Sequence, residues 1–125
     1  MKKPLLLLLL LVFSGCYQVE RDCIPFHEGH FRFTTLVNGE MHESIFVRKG
    51  NLEIETYQSK IDSAQIRWVN DCECILTKLN PTSNQDKRPI RMKILKTKGN
   101  SEYTFEYALV GDTKNTRRGI IEKIE

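Results

Sequence analysis

The amino-acid sequence predicts an all-β fold: an antiparallel meander of seven or eight strands, closed into a small barrel or folded into a flattened sandwich. Three observations predict it. From Phe31 onward, apolar residues recur at every second position, the period of a strand with one buried face. Turn-forming stretches at Asn38-Gly39, Lys49-Gly50-Asn51 and Gly99-Asn100 cut that pattern into pieces of strand length. No stretch carries the repeat of an amphipathic helix.

The elements follow in order. Phe31 and Phe33 alternate with Arg32 and Thr34 ahead of Asn38-Gly39, a hairpin signal because both residues tolerate positive φ. Ile45 and Val47 alternate with Phe46 and Arg48, and Lys49-Gly50-Asn51 turns the chain. Leu52, Ile54 and Thr56 alternate with Glu53 and Glu55, which predicts a strand whose glutamates face solvent.

The longest segment places Ala64, Ile66, Trp68, Asn70, Cys72, Cys74 and Leu76 on one face. It reads as one long strand, or as two joined by a bulge at Asn70-Asp71, since Asn and Asp fit poorly within strands. A polar loop spans Asn80 to Lys87, and Ile90, Met92 and Ile94 mark the next strand. Tyr103, Phe105, Tyr107 and Leu109 mark another, and Ile120 to Ile124 a last one after a polar loop from Gly111 to Gly119. Short sequential connections favour neighbouring antiparallel strands, and closure into a barrel removes the exposed edges.

The first fifteen residues stand apart. Lys2-Lys3 precede an apolar run, Leu5 to Phe13, about half the length of a membrane-spanning helix. Phe13 at the third position before a cut is too large for an ordinary secretory cleavage site. Ser14-Gly15-Cys16 instead resembles the lipobox of bacterial lipoproteins. That resemblance implies a diacylglyceryl group on the Cys16 thiol, cleavage just before it, and two or three acyl chains of the palmitate kind. One chain anchors only marginally, whereas several hold a protein to a bilayer. The expected organisation is a signal peptide over 1–15, a lipidated polar tether over 16–24, and one β domain over 25–125.

The full chain carries 19 Lys and Arg against 16 Asp and Glu. Two of the lysines lie in the leader, so the mature domain is near neutral. It offers no electrostatic case for nucleic acid as a partner. Once lipid consumes Cys16, the cysteines Cys23, Cys72 and Cys74 remain, in a compartment that favours disulfides. Three thiols allow one bridge and leave one over. Strand neighbours two apart cannot readily join each other, so Cys23 pairs with either Cys72 or Cys74.

Two further stretches resemble a known family. Cys23-Ile-Pro-Phe26-His-Glu-Gly29-His-Phe31 and Trp68-Val-Asn-Asp-Cys72-Glu-Cys74-Ile-Leu76 are similar to the motifs of small lipoproteins from Bacteroidetes-type bacteria. That family opens on Cys-x-x-Phe-x-x-Gly-x-Phe and continues with Trp-x-x-x-Cys-Glu-Tyr-x-Leu. The resemblance implies that Cys23 and Cys72 are the paired cysteines. It also implies that Cys74, which stands where the family has tyrosine, is the free thiol. It brings a class of envelope protein and no activity.

His27-Glu28-Gly29-His30 lacks the spacing of a helical zinc site. Cys23, His27, Cys72 and Cys74 form a conceivable tetrahedral set, but an oxidising compartment favours a disulfide over metal. No serine sits in a nucleophile-elbow setting, and Cys72-x-Cys74 lacks redox-motif spacing. No catalytic residue, metal or cofactor is therefore expected. Lys87, Arg88, Arg91, Lys93, Lys96, Lys98, Arg117 and Arg118 are basic enough to meet anionic lipid or lipopolysaccharide, or simply form a solvated face. Trp68, Tyr103, Phe105 and Tyr107 would line a ligand cavity or fill a core.

The expectation is a non-enzymatic lipoprotein of the cell envelope, held to the outer membrane through Cys16, with a binding or structural role toward another envelope component. The alternative is a lipocalin-like barrel that carries a small apolar ligand. A filled interior would leave surface interaction, whereas an apolar pocket of several hundred Å³ would favour the carrier.

Overall fold

The structure, a computed structural model, describes residues 19–125, so the leader and Cys16 lie outside the described residues. Eight antiparallel strands run in sequence order and close into a barrel. They are β1 (Gly29–Val37), β2 (Glu40–Lys49), β3 (Leu52–Tyr57), β4 (Lys60–Asn70), β5 (Glu73–Lys78), β6 (Ile90–Lys98), β7 (Glu102–Leu109) and β8 (Arg117–Lys123). Each strand pairs with its neighbour, and β8 returns to β1 through Phe31, Arg32 and Phe33. The expected meander is thus the closed form, with no free edge.

Local chemistry sets the turns. Asn38 and Gly39 both take positive φ, the geometry of a tight hairpin that keeps the strand twist. Gln58 and Ser59 do the same between β3 and β4, with φ of 47° and 64°. Neither is a usual residue there, and the sequence carries no signal for that turn. Asn70 and Asp71 end β4 instead of bulging one long strand, and a register shift lies between Trp68 and Asn70. Cys72 therefore sits in a turn and not in a strand as its spacing suggested. Its amide donates to the Asn70 side chain at 2.9 Å, a local bond that stabilises the turn.

The meander sorts its connections to two ends. The turns after β2, β4 and β6 lie at one end, together with the segment just before β1 and the residues after β8; the longer loops after β5 and β7 lie at the other. The first end is closed. A single helical turn, Ile24–Phe26, lies across it, and Phe26 is fully buried with its ring edge-on to Tyr103 at 5.0 Å. Cys23, just before that turn, is joined to Cys72 by a disulfide, the pairing that the family resemblance implies. Lys123 donates to the Pro25 carbonyl, and His27 stacks on Trp68 at 3.8 Å. His27 Nε2 also donates to the Asp71 carbonyl, so this histidine fastens the plug to the β4–β5 turn.

Residues ahead of the plug are also fastened. The Glu20 carbonyl accepts from the Thr97 amide and its carboxylate from the Gly99 amide. Arg21 donates to the Ile94 carbonyl, and the Asp22 amide to the Thr97 hydroxyl. A register shift between Ile94 and Lys96 opens β6 here and frees backbone groups for these contacts. Gly29 enters β1 at φ 132°, and a Cβ there would meet the Glu125 carbonyl at 2.8 Å. Only glycine fits that approach of the C-terminus.

The core is densest beside the plug: Phe31, Phe46, Ile66, Cys74, Met92, Ile94 and Tyr103 are all buried. The expected solvated face of β3 is a correction. Glu53 pairs across β4 with Ala64, on the face that carries Ile66 and Trp68, and so points into the barrel. Leu52 and Ile54 point outward, where Ile54 pairs across the sheet with Val47. The period of two was right and its phase was inverted, because a buried cation stands ready for the inward glutamate.

Candidate functional site

That cation is Arg48. It follows Phe46 on the inward face of β2 and is only 2% exposed. Its Nε donates to Glu53 Oε1 at 2.9 Å and its Nη1 to the Phe26 carbonyl at 3.0 Å. Four rings box the guanidinium, with centroids at 4.9 Å (Phe31), 5.0 Å (Phe46), 5.7 Å (Trp68) and 5.7 Å (Tyr103). Burial works against a charged guanidinium, but the Tyr103 oxygen and the Glu53 carboxylate outweigh it, and the pKa lies above the ordinary arginine value. Arg48 and Glu53 therefore form a neutralised ion pair at the floor of the barrel interior, directly above the plug.

Above this floor the barrel is not filled. An apolar cavity of about 180 Å³ is walled by Phe33, Phe46, Met92, Phe105, Tyr107 and Ile121. Glu53, Glu55, Leu76 and Ile90 border this cavity and also a wider one of about 280 Å³, so the two adjoin. Gly119 in β8 shapes the inner part. A Cβ on it would meet Phe33 at 2.8 Å and Phe105 at 3.0 Å, so the missing side chain lets both rings lie against the backbone.

The wider cavity is rimmed by charged side chains over a largely apolar lining. Lys78 bridges Asp62 at 3.3 Å and Asp86 at 3.6 Å. Arg88 donates to the Val110 carbonyl. Glu55 forms no ion pair or hydrogen bond among the described residues. Loss of solvent and the nearby Glu53 and Asp62 carboxylates raise its pKa above the ordinary carboxyl value, against a smaller opposing pull from Lys78. A raised carboxyl pKa favours the fold while the group is protonated, and that contribution is lost as the pH rises through the folded-state value. Glu55→Gln is accordingly expected to raise the thermal midpoint at pH 7. The gain should vanish as the pH falls below about 4, where the carboxyl is protonated folded or unfolded. Thermal melts of both proteins across that range check it.

The aromatic residues singled out in the sequence divide between two tasks. Trp68 and Tyr103 belong to the filled floor, whereas Phe105 and Tyr107 wall the cavity. Cys74 is a free thiol, buried in the core. Burial pushes its pKa up to about 12, against a lowering influence from Arg48. Iodoacetamide at pH 8 is expected to modify Cys74 at least about a thousandfold more slowly in the native protein than in the unfolded chain. Mass spectrometry of the two samples measures the difference.

The basic residues are partly paired. Arg91 donates to Glu73 at 3.0 Å, and Arg118 lies 4.0 Å from Glu106. Among the described residues no group of three or more His, Cys, Asp or Glu is placed to hold a metal ion. Two residues that shape the site, Arg48 and Glu53, were not singled out in the sequence. The signal for Arg48 was present, since it shares the face of Phe46 two positions before. Comparison with protein-family models, with curated proteins and with solved structures finds no match to this chain.

Proposed function

We propose that this protein is a non-enzymatic binding lipoprotein of the bacterial envelope, which holds a small, partly apolar ligand in the open end of its barrel. The observation that carries the reading is the apolar cavity above Arg48, adjoining a mouth rimmed by charged side chains. A core serving stability alone would be closed by side chains, because empty apolar volume costs stability. Instead, apolar volume remains above the floor although Gly119 lets Phe33 and Phe105 lie back against the sheet, and the charged floor is already neutralised by its own ion pair. A ligand entering there meets rings and aliphatic side chains, then polar groups nearer solvent, the usual composition of a small-molecule site.

The lipid anchor on Cys16 belongs to the same proposal. The lipobox resemblance supports it, as does the way Glu20, Arg21 and Asp22 fasten to the closed end of β6. An anchor a few residues earlier would leave the barrel at its closed end and turn the mouth away from the bilayer. Outer-membrane placement follows from the resemblance alone. The anchor and the site have separate tests. Cys16→Ser should abolish acylation and leave either soluble protein or uncleaved precursor, read by membrane fractionation and intact mass. A variant that is still cleaved and stays membrane-bound through a detergent wash would refute the anchor.

For the site, the neutral dye N-phenylnaphthylamine should gain fluorescence with the lipidated protein in nanodiscs, corrected with empty nanodiscs. Ile90→Trp places a larger side chain where both cavities meet and should weaken dye binding about tenfold or more. Equal binding by the two proteins would place the dye elsewhere and refute the site.

A further inference from the structure

The two cavities are lined by four carboxylates and three cationic side chains: Glu53, Glu55, Asp62 and Asp86 against Arg48, Lys78 and Arg88. Their pairing is uneven. Arg48 is taken by Glu53, and Lys78 by Asp62 and Asp86. Arg88 is turned to the loop after β7, where it meets the Val110 carbonyl and its charge acts on Asp112. Glu55 alone among these carboxylates has no cationic partner within 4 Å among the described residues. It also borders both cavities, at the point where apolar wall gives way to polar rim.

We infer that the ligand is a small cationic amphiphile, a primary amine on one compact apolar body, with its ammonium held by Glu55 and its body in the cavity walled by Phe33, Phe105 and Tyr107. The inference rests on the binding reading above and deepens it. An apolar cavity of about 150 Å³ accepts a benzene ring, so the inner space here suits one ring or a short alkyl group. Phe105 and Tyr107 stack on each other at 5.4 Å and together line the wall that would meet such a body.

The sign of the charge follows from the pairing. A carboxylate ligand reaching the floor would have to displace Glu53 from Arg48, and would pass Glu55 and Asp62 on the way. An ammonium meets an accessible carboxylate that has no ion-pair partner among the described residues, in surroundings that already disfavour its charge. It would gain three N–H donors' worth of bonding at the rim without disturbing the Arg48–Glu53 pair.

The test uses three compounds of one shape and different charge: phenethylamine, phenethyl alcohol and hydrocinnamate. Each is titrated calorimetrically at neutral pH into the lipidated protein in nanodiscs, with empty nanodiscs as the blank. The expected order is the amine tightest, by about tenfold over the alcohol, with the carboxylate weakest. Glu55→Gln should bring the amine down to the affinity of the alcohol and leave the alcohol unchanged. Glu122→Gln, on the outer face of β8, should change nothing, which separates a specific carboxylate from general charge. Equal binding of amine and alcohol, or tighter binding of the carboxylate, would overturn the amine assignment while the apolar site stands. Absence of binding by all three, with the protein shown folded by circular dichroism, would overturn the binding reading and the inference together.

Discussion

Replacing Arg48 with methionine should destabilise the protein by about 3–5 kcal/mol, the cost of leaving one member of a buried ion pair alone. The substitution keeps most of the side-chain volume but strands the Glu53 carboxylate inside the barrel and leaves the Phe26 carbonyl without its donor. Loss of the cation from its box of four rings adds to this. Urea denaturation at neutral pH, with an unchanged dependence on denaturant, measures the effect. A second substitution, Glu53→Leu in the Arg48→Met background, should recover most of the loss, because an apolar pair no longer carries a buried charge. A single-variant loss below about 1 kcal/mol would mean that Arg48 reaches solvent and that the floor is built otherwise.

The second large effect is expected at the disulfide. Cys23 and Cys72 are 49 residues apart, and on the chain-entropy account closing such a loop stabilises the fold by about 4 kcal/mol. Changing both to serine should cost about that much, since the bridge also holds the helical turn that carries Phe26 across the closed end. Cys74→Ala offers the contrast. It removes one buried sulfur and no covalent link, and should cost about 1 kcal/mol. Equal losses from the two changes would mean that the plug is held by packing alone.

The sequence announces the strands far more clearly than their faces. Period-two alternation and the Asn38-Gly39, Gly50 and Gly99 turns carry most of the meander, because turn geometry and pleat are local properties. The β3–β4 turn is silent, since Gln58 and Ser59 take positive φ without the residues that usually do so. The face of β3 misleads for a different reason. Glu53 looks like a surface residue until Arg48 is placed opposite it: the β2–β3 turn sets that pairing, but only closure of the barrel makes their shared face the buried one. Charge pairing across strands leaves no trace in the periodicity of either one.

The cysteines show the same limit. Spacing alone left Cys23 free to pair with either Cys72 or Cys74, and it read Cys72 as a strand residue. The turn at Asp71-Cys72 is what separates the two sulfurs, sending Cys72 to the plug and Cys74 into the core. The cavity was legible only as a list of aromatic residues that would either line a space or fill one. Which of the two each does depends on height along the barrel: Trp68 and Tyr103 sit against the plug, while Phe105 and Tyr107 stand above it beside Gly119.

The central claim, an anchored barrel with an occupied mouth, is tested most directly by native mass spectrometry of the protein gently extracted from its own membranes. The account predicts a chain that begins at Cys16 and carries acyl groups, with one disulfide and a small non-covalent adduct that Ile90→Trp abolishes. A chain free of any adduct in both proteins, or an adduct that persists unchanged in Ile90→Trp, would contradict it.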